Sequence, residues 1–450
     1  METSNQKIPF YQKHSIILKL VFIFFLVLIL LIPSSMIDDL IHERIYQSEK
    51  VKNEICQSWG PQQIIYSPIL MIPIEKSRVM EDETIKYLEY LFITPENEDL
   101  SIDLPVDLRK KSIYEVPVYN ANVLIKCSFN LENLSSAENE TLLLDQAKIY
   151  TGLKDPTTIS SKVNSTFDDI AIHFISGKNA YLGEAGAING EIPTLENKTY
   201  HFDMNFQILG NRSLFFSTQA KNSKVKISSE WPSPGFVGNQ LPSEREISDA
   251  GFHATYNFTE YKRTVPDSWT DGAYKPYTII DRNLPGVELI QTVDHYQKTD
   301  RASKYSILII ILTFMIFFMF EIFKLNKTHP IQYVFIGFSL VLFFALLLSI
   351  SEHIGFNKAY MISALSTSIL VALYSVNILK DKKYSFLLFS VMMGLYLYIF
   401  ILLQLENFAL LAGCIGLFFI LSGIMYITRK VNWYAISSRE QTITTANIQY

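Results

Sequence analysis

Two kinds of hydrophobic pattern divide this chain. Long apolar runs lie near the N-terminus and throughout the region after Lys304, and a mixed polar region lies between them. A run of about 20 apolar residues is long enough to cross the roughly 30 Å hydrocarbon core of a bilayer as an α-helix. The pattern therefore predicts a membrane protein with a large polar region inserted between two membrane segments.

The first apolar run covers Leu20–Ile32 and follows three lysines, Lys7, Lys13 and Lys19. A basic start with about 7–15 apolar residues is also typical of a signal peptide. No small-residue cleavage site follows, and apolar positions extend over 16–37, so a retained membrane anchor is favoured. We expect Pro33 to end or kink this helix and a short helix to follow over Asp39–Ile55.

The region 38–304 alternates apolar and polar residues with a period of two in several stretches. Thr199–Ile208, Val116–Phe129 and Gly251–Phe258 all follow this pattern. Such alternation predicts half-buried β-strands, and breaks rich in Pro and Gly, such as Trp231–Gly235, separate them. We therefore predict a β-rich domain that could form two sandwich-like lobes.

Five further apolar runs follow Lys304: Tyr305–Phe323, Ile331–Ile350, Ala359–Leu379, Tyr384–Leu403 and Phe408–Ile427. With the anchor they give six spans of a membrane α-helical bundle. Lys and Arg concentrate in every second connector, and this bias marks the cytoplasmic side of a membrane protein. We expect both termini in the cytoplasm of a bacterial inner-membrane protein and residues 38–304 in the periplasm. The predicted segments are 1–37, 38–304, 305–428 and the tail 429–450.

Composition narrows the classes of function. Apolar residues make up 49% of the chain and charged residues 18%, against about 25% charged residues in soluble proteins. The net charge is −5 and no basic patch is present, so we expect no nucleic-acid partner. Three scattered cysteines argue against a metal site, and no cofactor is expected. An oxidising compartment would allow a Cys56–Cys127 disulfide.

Ionisable residues near the membrane are the main candidates for chemistry. The common catalytic motifs, such as His-Glu-x-x-His and Gly-x-Ser-x-Gly, are absent from the sequence, so no catalytic residue is predicted and a non-enzymatic protein is expected. A charge buried in a membrane without a partner costs at least about 2.5–3.5 kcal/mol. Glu321, near the end of the second span, is therefore either a proton-handling carboxylate or the ion-pair partner of Lys324, His329 or Arg429.

A second acidic residue lies at the opposite membrane face. Glu352 and His353 are adjacent in the connector after the third span, and a histidine there could sense pH or bind a metal ion. The alternative is a capped helix end with an interfacial histidine. His329 and Glu352 are separated by roughly 30 Å of helix, so they cannot form one site.

Two spans have unusual small or hydroxyl residues. The fourth span has five hydroxyl residues, which either line a polar conduit or, more commonly, hydrogen-bond to other helices: Ser363, Ser366, Thr367, Ser368 and Ser375. In the sixth span, Gly413, Gly416 and Gly423 fall on one helical face with Ala409 and predict a close-packing surface.

Two groups of residues are candidates outside the spans. Trp231 and Phe236 in the β-rich region are either recognition residues or core aromatics. Asp294, Tyr296 and Arg301 precede the second span and mark a junction, either a structural hinge or an element that transmits a signal.

A series of motifs occurs in a fixed order along the chain: Trp59-Gly60, Ser67–Leu70, Tyr114–Tyr119, Glu230–Gly238, Gly251-Phe252, Val293–Tyr296, Arg301–Tyr305, His329–Tyr333, Ser351–Phe356, Ala359-Tyr360, Thr428-Arg429 and Trp433-Tyr434. Their order and spacing resemble the CreD family of bacterial inner-membrane proteins. The motifs make His329, Gln332, Tyr333, Tyr360 and Arg429 candidate functional residues. The chain departs from the family pattern at Gly152–Thr158 and at Gly235.

The resemblance implies a role in envelope integrity, with links to colicin tolerance, to control by a sensor kinase and to responses to antibiotics that act on the cell wall. It implies no defined reaction. The first hypothesis is a protein whose periplasmic domain binds an envelope component or a periplasmic or inner-membrane protein, with membrane lipids around its helices. The second is a transporter or lipid conduit through the helices, and the third is a membrane enzyme that acts on envelope precursors.

Overall fold

The computed structural model describes residues 15–80, 83–135, 140–177, 186–263, 265–271, 283–291, 295–324, 328–379, 382–405 and 408–429. It divides the chain into two compact units. The helical unit comprises Met1–Ser48 with Val293–Tyr450, and the β-rich unit comprises Glu49–Thr292. An N-terminal apolar helix and several C-terminal apolar helices thus flank a large β-rich region, which confirms the predicted fold class.

The described helices are α1 (Ser15–Trp59), α2 (His295–Ser303), α3 (Ser306–Lys324), α4 (Pro330–Ile354), α5 (Phe356–Leu379), α6 (Lys382–Gln404) and α7 (Ala409–Thr428). Five of them are long and apolar enough to cross a membrane on their own. The pair α2 and α3 is bent by 46° and gives a sixth span if it is counted as one. Each of the six predicted apolar runs therefore corresponds to a described helix.

The expectation was that Pro33 ends or kinks this helix, and the first alternative was wrong, because α1 continues through Pro33. The residues of the predicted short helix Asp39–Ile55 belong to the same α1. Membrane helices tolerate proline where hydroxyl side chains satisfy nearby backbone groups. Near the proline, the Ser35 hydroxyl donates to the Ile32 carbonyl, at 2.9 Å.

The anchor helix is a packed member of the helical unit. Leu26 and Leu30 of α1 are buried in a core that also contains Phe314 of α3 and Tyr333 of α4. Gly337 of α4 faces Leu30 so closely that an added Cβ atom would collide with it. A glycine at this position therefore allows α1 and α4 to approach closely, as small residues do between membrane helices.

The β-rich unit has two sheets, and its described strands are β1 (Gln63–Tyr66), β2 (Ile69–Met80), β3 (Glu83–Ile93), β4 (Asn97–Asp103), β5 (Val106–Lys111), β6 (Tyr114–Asn130), β7 (Glu140–Leu142), β8 (Lys148–Leu153), β9 (Asn164–Phe167), β10 (Ile170–Ala171), β11 (Phe174–Gly177), β12 (Gly186–Glu191), β13 (Thr199–Asn211), β14 (Ser213–Ser217), β15 (Asn222–Ser229), β16 (Pro234–Val237), β17 (Glu244–Ser248), β18 (Gly251–Phe258), β19 (Ser268–Thr270) and β20 (Gly286–Leu289).

One sheet has eleven strands, in the order β16-β20-β14-β1-β8-β2-β3-β19, with β7, β11 and β12 attached to this path. The other has nine strands, in the order β10-β9-β13-β6-β4-β15-β18-β17, with β5 beside β6. Most pairs are antiparallel, whereas β1 with β14 and β4 with β15 run parallel. Three short 3₁₀ helices, Leu144–Gln146, Pro156–Thr158 and Glu260–Lys262, interrupt the strands.

The predicted alternation holds in the longest strand pair. Strands β13 and β6 are paired over thirteen positions, from Thr199 opposite Asn130 to Asn211 opposite Val118. The inward-pointing apolar residues of both strands are buried, and residues of both sheets meet in one large core. Since neighbouring side chains in a strand point to opposite faces, the polar residues of these strands lie on the outer face of the nine-stranded sheet.

Candidate functional site

Glu321 lies near the end of α3, where three groups surround its carboxylate. The Lys19 ammonium of α1 forms an ion pair with Oε1, and the Thr328 amide donates a hydrogen bond to the same oxygen at 3.3 Å. The Tyr333 hydroxyl donates to Oε2 at 3.2 Å. Lys19 also donates to the Thr328 carbonyl, at 2.7 Å. The carboxylate is thus both neutralised and hydrogen-bonded, as a poorly solvated charge has to be.

This contact set favours the ion-pair interpretation of Glu321 but corrects the expected partner. We expected Lys324, His329 or Arg429, and the structure places Lys19 there instead; the side chain of Lys324 lies outside the described residues. The sequence carried a signal for this pair, because Lys19 begins the first apolar run on the same predicted side of the membrane as Glu321.

Glu352 lies in the last turn of α4 and contacts two other helices. The Tyr296 hydroxyl of α2 donates to Glu352 Oε1 at 3.0 Å, and Arg44 Nε of α1 lies 3.7 Å from the same oxygen. Tyr296 is buried. The sequence motif that suggested a junction therefore contributes a tyrosine to a polar cluster within the helical unit.

A neighbouring acidic residue of α2 makes similar contacts. Asp300 forms an ion pair with Lys304 at 2.7 Å, and its Oδ1 lies 3.9 Å from His42 Nδ1 of α1. Lys19 and Arg44 are 25 positions apart on α1, which corresponds to about 38 Å along a helix. This is slightly more than the roughly 30 Å hydrocarbon core. Polar contacts therefore join α1 to the other helices at both edges of the membrane segment.

The remaining candidates near the helices have structural contacts. His329 Nδ1 accepts the Ile331 amide at 3.3 Å, and Gln332 Oε1 accepts the His329 amide at 3.0 Å. Together they form a capping box at the start of α4, which satisfies two free backbone donors. The Tyr360 hydroxyl donates to the Tyr396 carbonyl at 2.8 Å within a cluster of buried rings.

Three further candidates stand apart from these clusters. The Arg429 guanidinium lies over the Tyr426 ring, at 4.0 Å from its centre. His353 is exposed at the end of α4, and Arg301 is half-buried on α2. Asp294 lies outside the described residues, as do Trp433 and Tyr434.

The hydroxyl residues of α5 are mostly buried, whereas Ser366 is exposed. Ser375 donates to the Ala372 carbonyl of its own helix at 2.8 Å. In the described part of the chain, the hydroxyls of Ser363 and Ser368 have no hydrogen-bond partner. Two cavities lined by described residues of the helical unit are apolar, and α5 lines neither of these two.

The outer face of the nine-stranded sheet carries depressions. Two depressions of about 440 and 580 Å³ follow one another along strands β4, β6, β13, β15 and β18. We call this surface the polar face, and the outward-pointing polar residues that line it are Asn97, Asp99, Ser101, Asp103, Asn122, Lys126, Ser128, His201, Asp203, Asn205, Asn222, Lys224, Lys226, Ser228, His253, Thr255 and Asn257. Three aspartates balance three lysines, so the polar face has no net charge when its histidines are neutral.

Hydrogen bonds between strands hold side chains of the polar face in place. Asn122 Nδ2 donates to Asp103 at 3.2 Å, and Asn122 Oδ1 accepts from Gln207 at 2.7 Å. The Ser228 hydroxyl donates to Asp103 at 3.3 Å, and Lys226 lies 3.7 Å from Asp99. Because these contacts already restrict the side chains, less conformational entropy is lost when a ligand binds to the polar face.

A buried carboxylate lies beneath the polar face. Glu98 of β4 points into the core and accepts hydrogen bonds from the Ser67 hydroxyl at 2.6 Å and the Ser223 hydroxyl at 3.2 Å. Burial raises the pKa of Glu98 to about 7, and the two hydroxyls oppose this rise. The sequence analysis missed this residue. Glu98 is two positions before Leu100 and four before Ile102, so the period-two pattern places all three side chains on the inward face of the strand.

The aromatic candidates of the β-rich unit lie at the edge of its core. Trp231 and Phe236 are half-buried and pack against the large core. The Trp231 indole donates to the Ile290 carbonyl at 3.2 Å, and the Phe236 ring meets Phe252 edge to face at 5.7 Å. These contacts favour the interpretation of both residues as core aromatics.

The cysteines and the acidic residues give no metal or disulfide site in the described part of the chain. Cys56 and Cys127 are free thiols, so the disulfide considered from the sequence is not formed. Burial raises the pKa of both thiols, which makes them poor nucleophiles. Among the described residues, no group of three His, Cys, Asp or Glu side chains is placed to hold a metal ion.

Comparisons with known proteins agree with the sequence motifs. The family model described as Inner membrane protein CreD matches residues 15–434. Inner membrane protein CreD of Escherichia coli (strain K12) is 31% identical over 430 residues, which cover 93% of this chain and 94% of that protein.

Solved structures give only distant matches. An M1 zinc metallopeptidase mutant from Deinococcus radiodurans is 7% identical, covers 37% of this chain and 38% of its own, and has a TM-score of 0.21. A putative protease from Parabacteroides distasonis is 10% identical, covers 64% and 59%, and has a TM-score of 0.24. Neither similarity is close enough to carry an argument about fold or activity.

Proposed function

This chain belongs to the CreD family of inner membrane proteins, and on that premise we propose that it maintains the cell envelope by binding an envelope component outside the cytoplasm. It does so without catalysing a reaction. The polar face of the nine-stranded sheet is the observation that carries the proposal. Its two depressions are lined by residues of five neighbouring strands.

The chemistry of the polar face fits a polar, uncharged polymer. Amide and hydroxyl groups predominate, and the three aspartates and three lysines cancel. A nucleic acid would require a net positive surface, and an apolar helix would require an apolar groove. Five strands spaced at about 4.8 Å span roughly 19 Å, so the face is wide enough for an extended ligand. An envelope glycan, with its many hydroxyl groups, is the ligand class that matches these properties.

The distribution of basic residues supports the proposed location. Lys19 pairs with Glu321 near the end of α3, and Lys382, Lys383 and Arg429 lie at the start of α6 and the end of α7. These basic residues belong to one end of the alternating helices, and such a bias favours that end in the cytoplasm. Both termini are then cytoplasmic and the β-rich unit lies on the periplasmic side.

A conduit through the helices is the second candidate. The buried hydroxyls of Ser363 and Ser368, which have no hydrogen-bond partner among the described residues, favour it. Two observations favour the first candidate instead. Glu321 and Glu352 have their own partners in separate clusters, and two cavities lined by described residues of the helical unit are apolar.

Binding to isolated cell-wall glycan tests the proposal. The purified full-length protein is mixed with insoluble glycan, and the bound fraction is measured after sedimentation. We expect binding to be lost when Asn205, Lys226 and Thr255, which line one depression, are all replaced by alanine. Replacement of Glu244 and Glu246 by alanine is the matched control, because both are exposed on edge strand β17 and line neither depression. Equal binding by the two variants would contradict the proposal.

A further inference from the structure

An apolar cavity of about 750 Å³ lies between α3, α6 and α7. Its lining includes Leu312 and Phe320 of α3, Gly394 of α6, and Gly423 and Ile427 of α7. An added Cβ atom would meet nothing within 4 Å at Gly394 or at Gly423. These glycines therefore leave space between helices instead of bringing them together.

Of the glycines predicted to form a close-packing surface on the last span, Gly416 is the one in close contact with another helix. At Gly416, an added Cβ atom would collide with the Tyr398 side chain. The Tyr398 hydroxyl donates to the carbonyls of Ala412 and Gly413, at 3.3 and 3.1 Å. None of the residues of α7 is buried.

The cavity has the depth of one leaflet of a bilayer. Its lining on α7 extends from Gly416 to Ile427, and on α6 from Leu387 to Tyr398. Each of these segments covers about 16 Å along a helix, and half of the hydrocarbon core is about 15 Å. The cavity therefore reaches from the middle of the membrane to one edge.

Basic residues lie at the membrane edge that the cavity reaches. Lys382 and Lys383 begin α6, and Arg429 directly follows α7, two residues beyond Ile427. Lys382, Lys383 and Arg429 are all exposed. Positive groups at the membrane edge attract the phosphate of anionic lipids. The other end of the cavity lies in the middle of the membrane, where a polar lipid headgroup is not solvated.

We infer that this cavity binds one anionic phospholipid from the adjoining leaflet, with an acyl chain between α3, α6 and α7 and the phosphate beside Lys382, Lys383 and Arg429. Water does not fill a cavity with so apolar a lining, and acyl chains are the apolar material that surrounds these helices in a membrane. The site is separate from the polar face and does not depend on its proposed ligand.

Photolabelling in vesicles tests the site. The full-length protein is placed in vesicles of phosphatidylethanolamine and phosphatidylglycerol with a trace of phosphatidylglycerol that carries a photoreactive acyl chain. We expect label to concentrate on the cavity-lining peptides of α3, α6 and α7 in the unmodified protein. Label spread evenly over the lipid-facing helices would overturn the inference without any need for a variant.

Cavity-filling variants sharpen this test. Gly394→Leu with Gly423→Leu should lower the labelling of the cavity peptides at least fivefold, because leucine side chains fill the space that the acyl chain occupies. Gly413→Leu is the matched control, since an added Cβ there also meets nothing within 4 Å but Gly413 does not line the cavity. Equal labelling of the double variant and the control, at equal protein recovery, would overturn the inference.

Charge variants test the headgroup assignment. The measured quantity is the ratio of labelling by a phosphatidylglycerol tracer to labelling by a phosphatidylcholine tracer. Lys382→Gln with Arg429→Gln should lower this ratio roughly fivefold for each charge removed. Lys358→Gln is the control, because Lys358 is exposed near the start of α5, at the other membrane edge. An unchanged preference in the double variant would overturn the assignment to an anionic lipid.

Discussion

Lys19 and Glu321 lie 302 positions apart in the sequence and form an ion pair that joins α1 to α3. The hydroxyl of Tyr333 and the amide of Thr328 complete the surroundings of the carboxylate. Further along the same helix, 25 positions after Lys19, Arg44 lies beside Glu352. Two polar contacts therefore hold the first helix within the helical unit, and the first helix is more than an anchor.

The ion pair should contribute to the stability of the helical unit. Lys19→Met leaves Glu321 without its charged partner, and we expect it to destabilise the protein by roughly 3 kcal/mol, because removal of one partner leaves a poorly solvated charge. Thermal unfolding of the protein in detergent measures this loss. Lys19→Met combined with Glu321→Gln should recover part of the stability, and a double variant no more stable than the single one would contradict the expectation.

The hydrogen bond from Tyr296 to Glu352 gives a second prediction. Tyr296→Phe removes a hydroxyl that donates to a carboxylate and should destabilise the helical unit by about 1.5–3 kcal/mol. Tyr46→Phe serves as the control, because Tyr46 is an exposed residue of α1. If both variants unfold at the same temperature as the unmodified protein, the hydrogen bond contributes nothing to stability.

The contact between Gly337 and Leu30 predicts a steric effect. Gly337→Val should destabilise the protein by roughly 1–3 kcal/mol, because its side chain has to displace the leucine. Leu30→Ala in the same protein provides space and should restore part of the loss. The unfolding temperatures of the two single variants and the double variant measure the coupling, and purely additive effects would show that the two helices do not pack here.

Glu98 predicts a pH dependence of the stability of the β-rich unit. Its pKa is raised to about 7 in the folded protein, above the value near 4.3 of an unfolded chain. The folded state thus holds the proton more tightly, so the stability from this group is complete below about pH 4 and is lost as pH rises to about 7. The loss amounts to about 4 kcal/mol, since the pKa differs by about 2.7 units and one unit corresponds to about 1.4 kcal/mol.

Glu98→Gln should remove this pH dependence, because glutamine does not ionise. Tryptophan fluorescence during urea unfolding reports on this unit, since three of the four tryptophans, Trp59, Trp231 and Trp269, belong to it. The difference in the free energy of unfolding between the two proteins should grow from pH 4.5 to pH 7 in favour of the variant. A difference that is constant with pH would contradict the assignment.

The helices and the alternating strands were predictable because each depends on nearby residues. Apolar length determines a membrane helix, and the run Ile331–Ile350 lies within the observed α4. Period-two alternation likewise determined the inward face of β13. Pro33 misled the prediction, because proline breaks helices in water more strongly than within a membrane bundle.

The contacts that define the candidate sites were not predictable from local patterns. The pairing of Lys19 with Glu321, and the parallel pairing of β4 with β15, join segments more than a hundred positions apart. Burial of Glu98 depends on both sheets, and the depressions of the polar face depend on side chains from five strands. The sequence placed polar residues on that face but carried no information about its shape.

Complementation of a deletion strain tests the central claim, a role in envelope integrity through the polar face, most directly. Survival in detergent and in antibiotics that act on the cell wall is compared at equal membrane levels of two variants: the triple alanine variant of Asn205, Lys226 and Thr255, and Glu321→Gln with Glu352→Gln. The account predicts that the polar-face variant fails to protect the cells and that the glutamine variant protects them. Protection by the polar-face variant and failure of the glutamine variant would contradict it and favour a conduit through the helices.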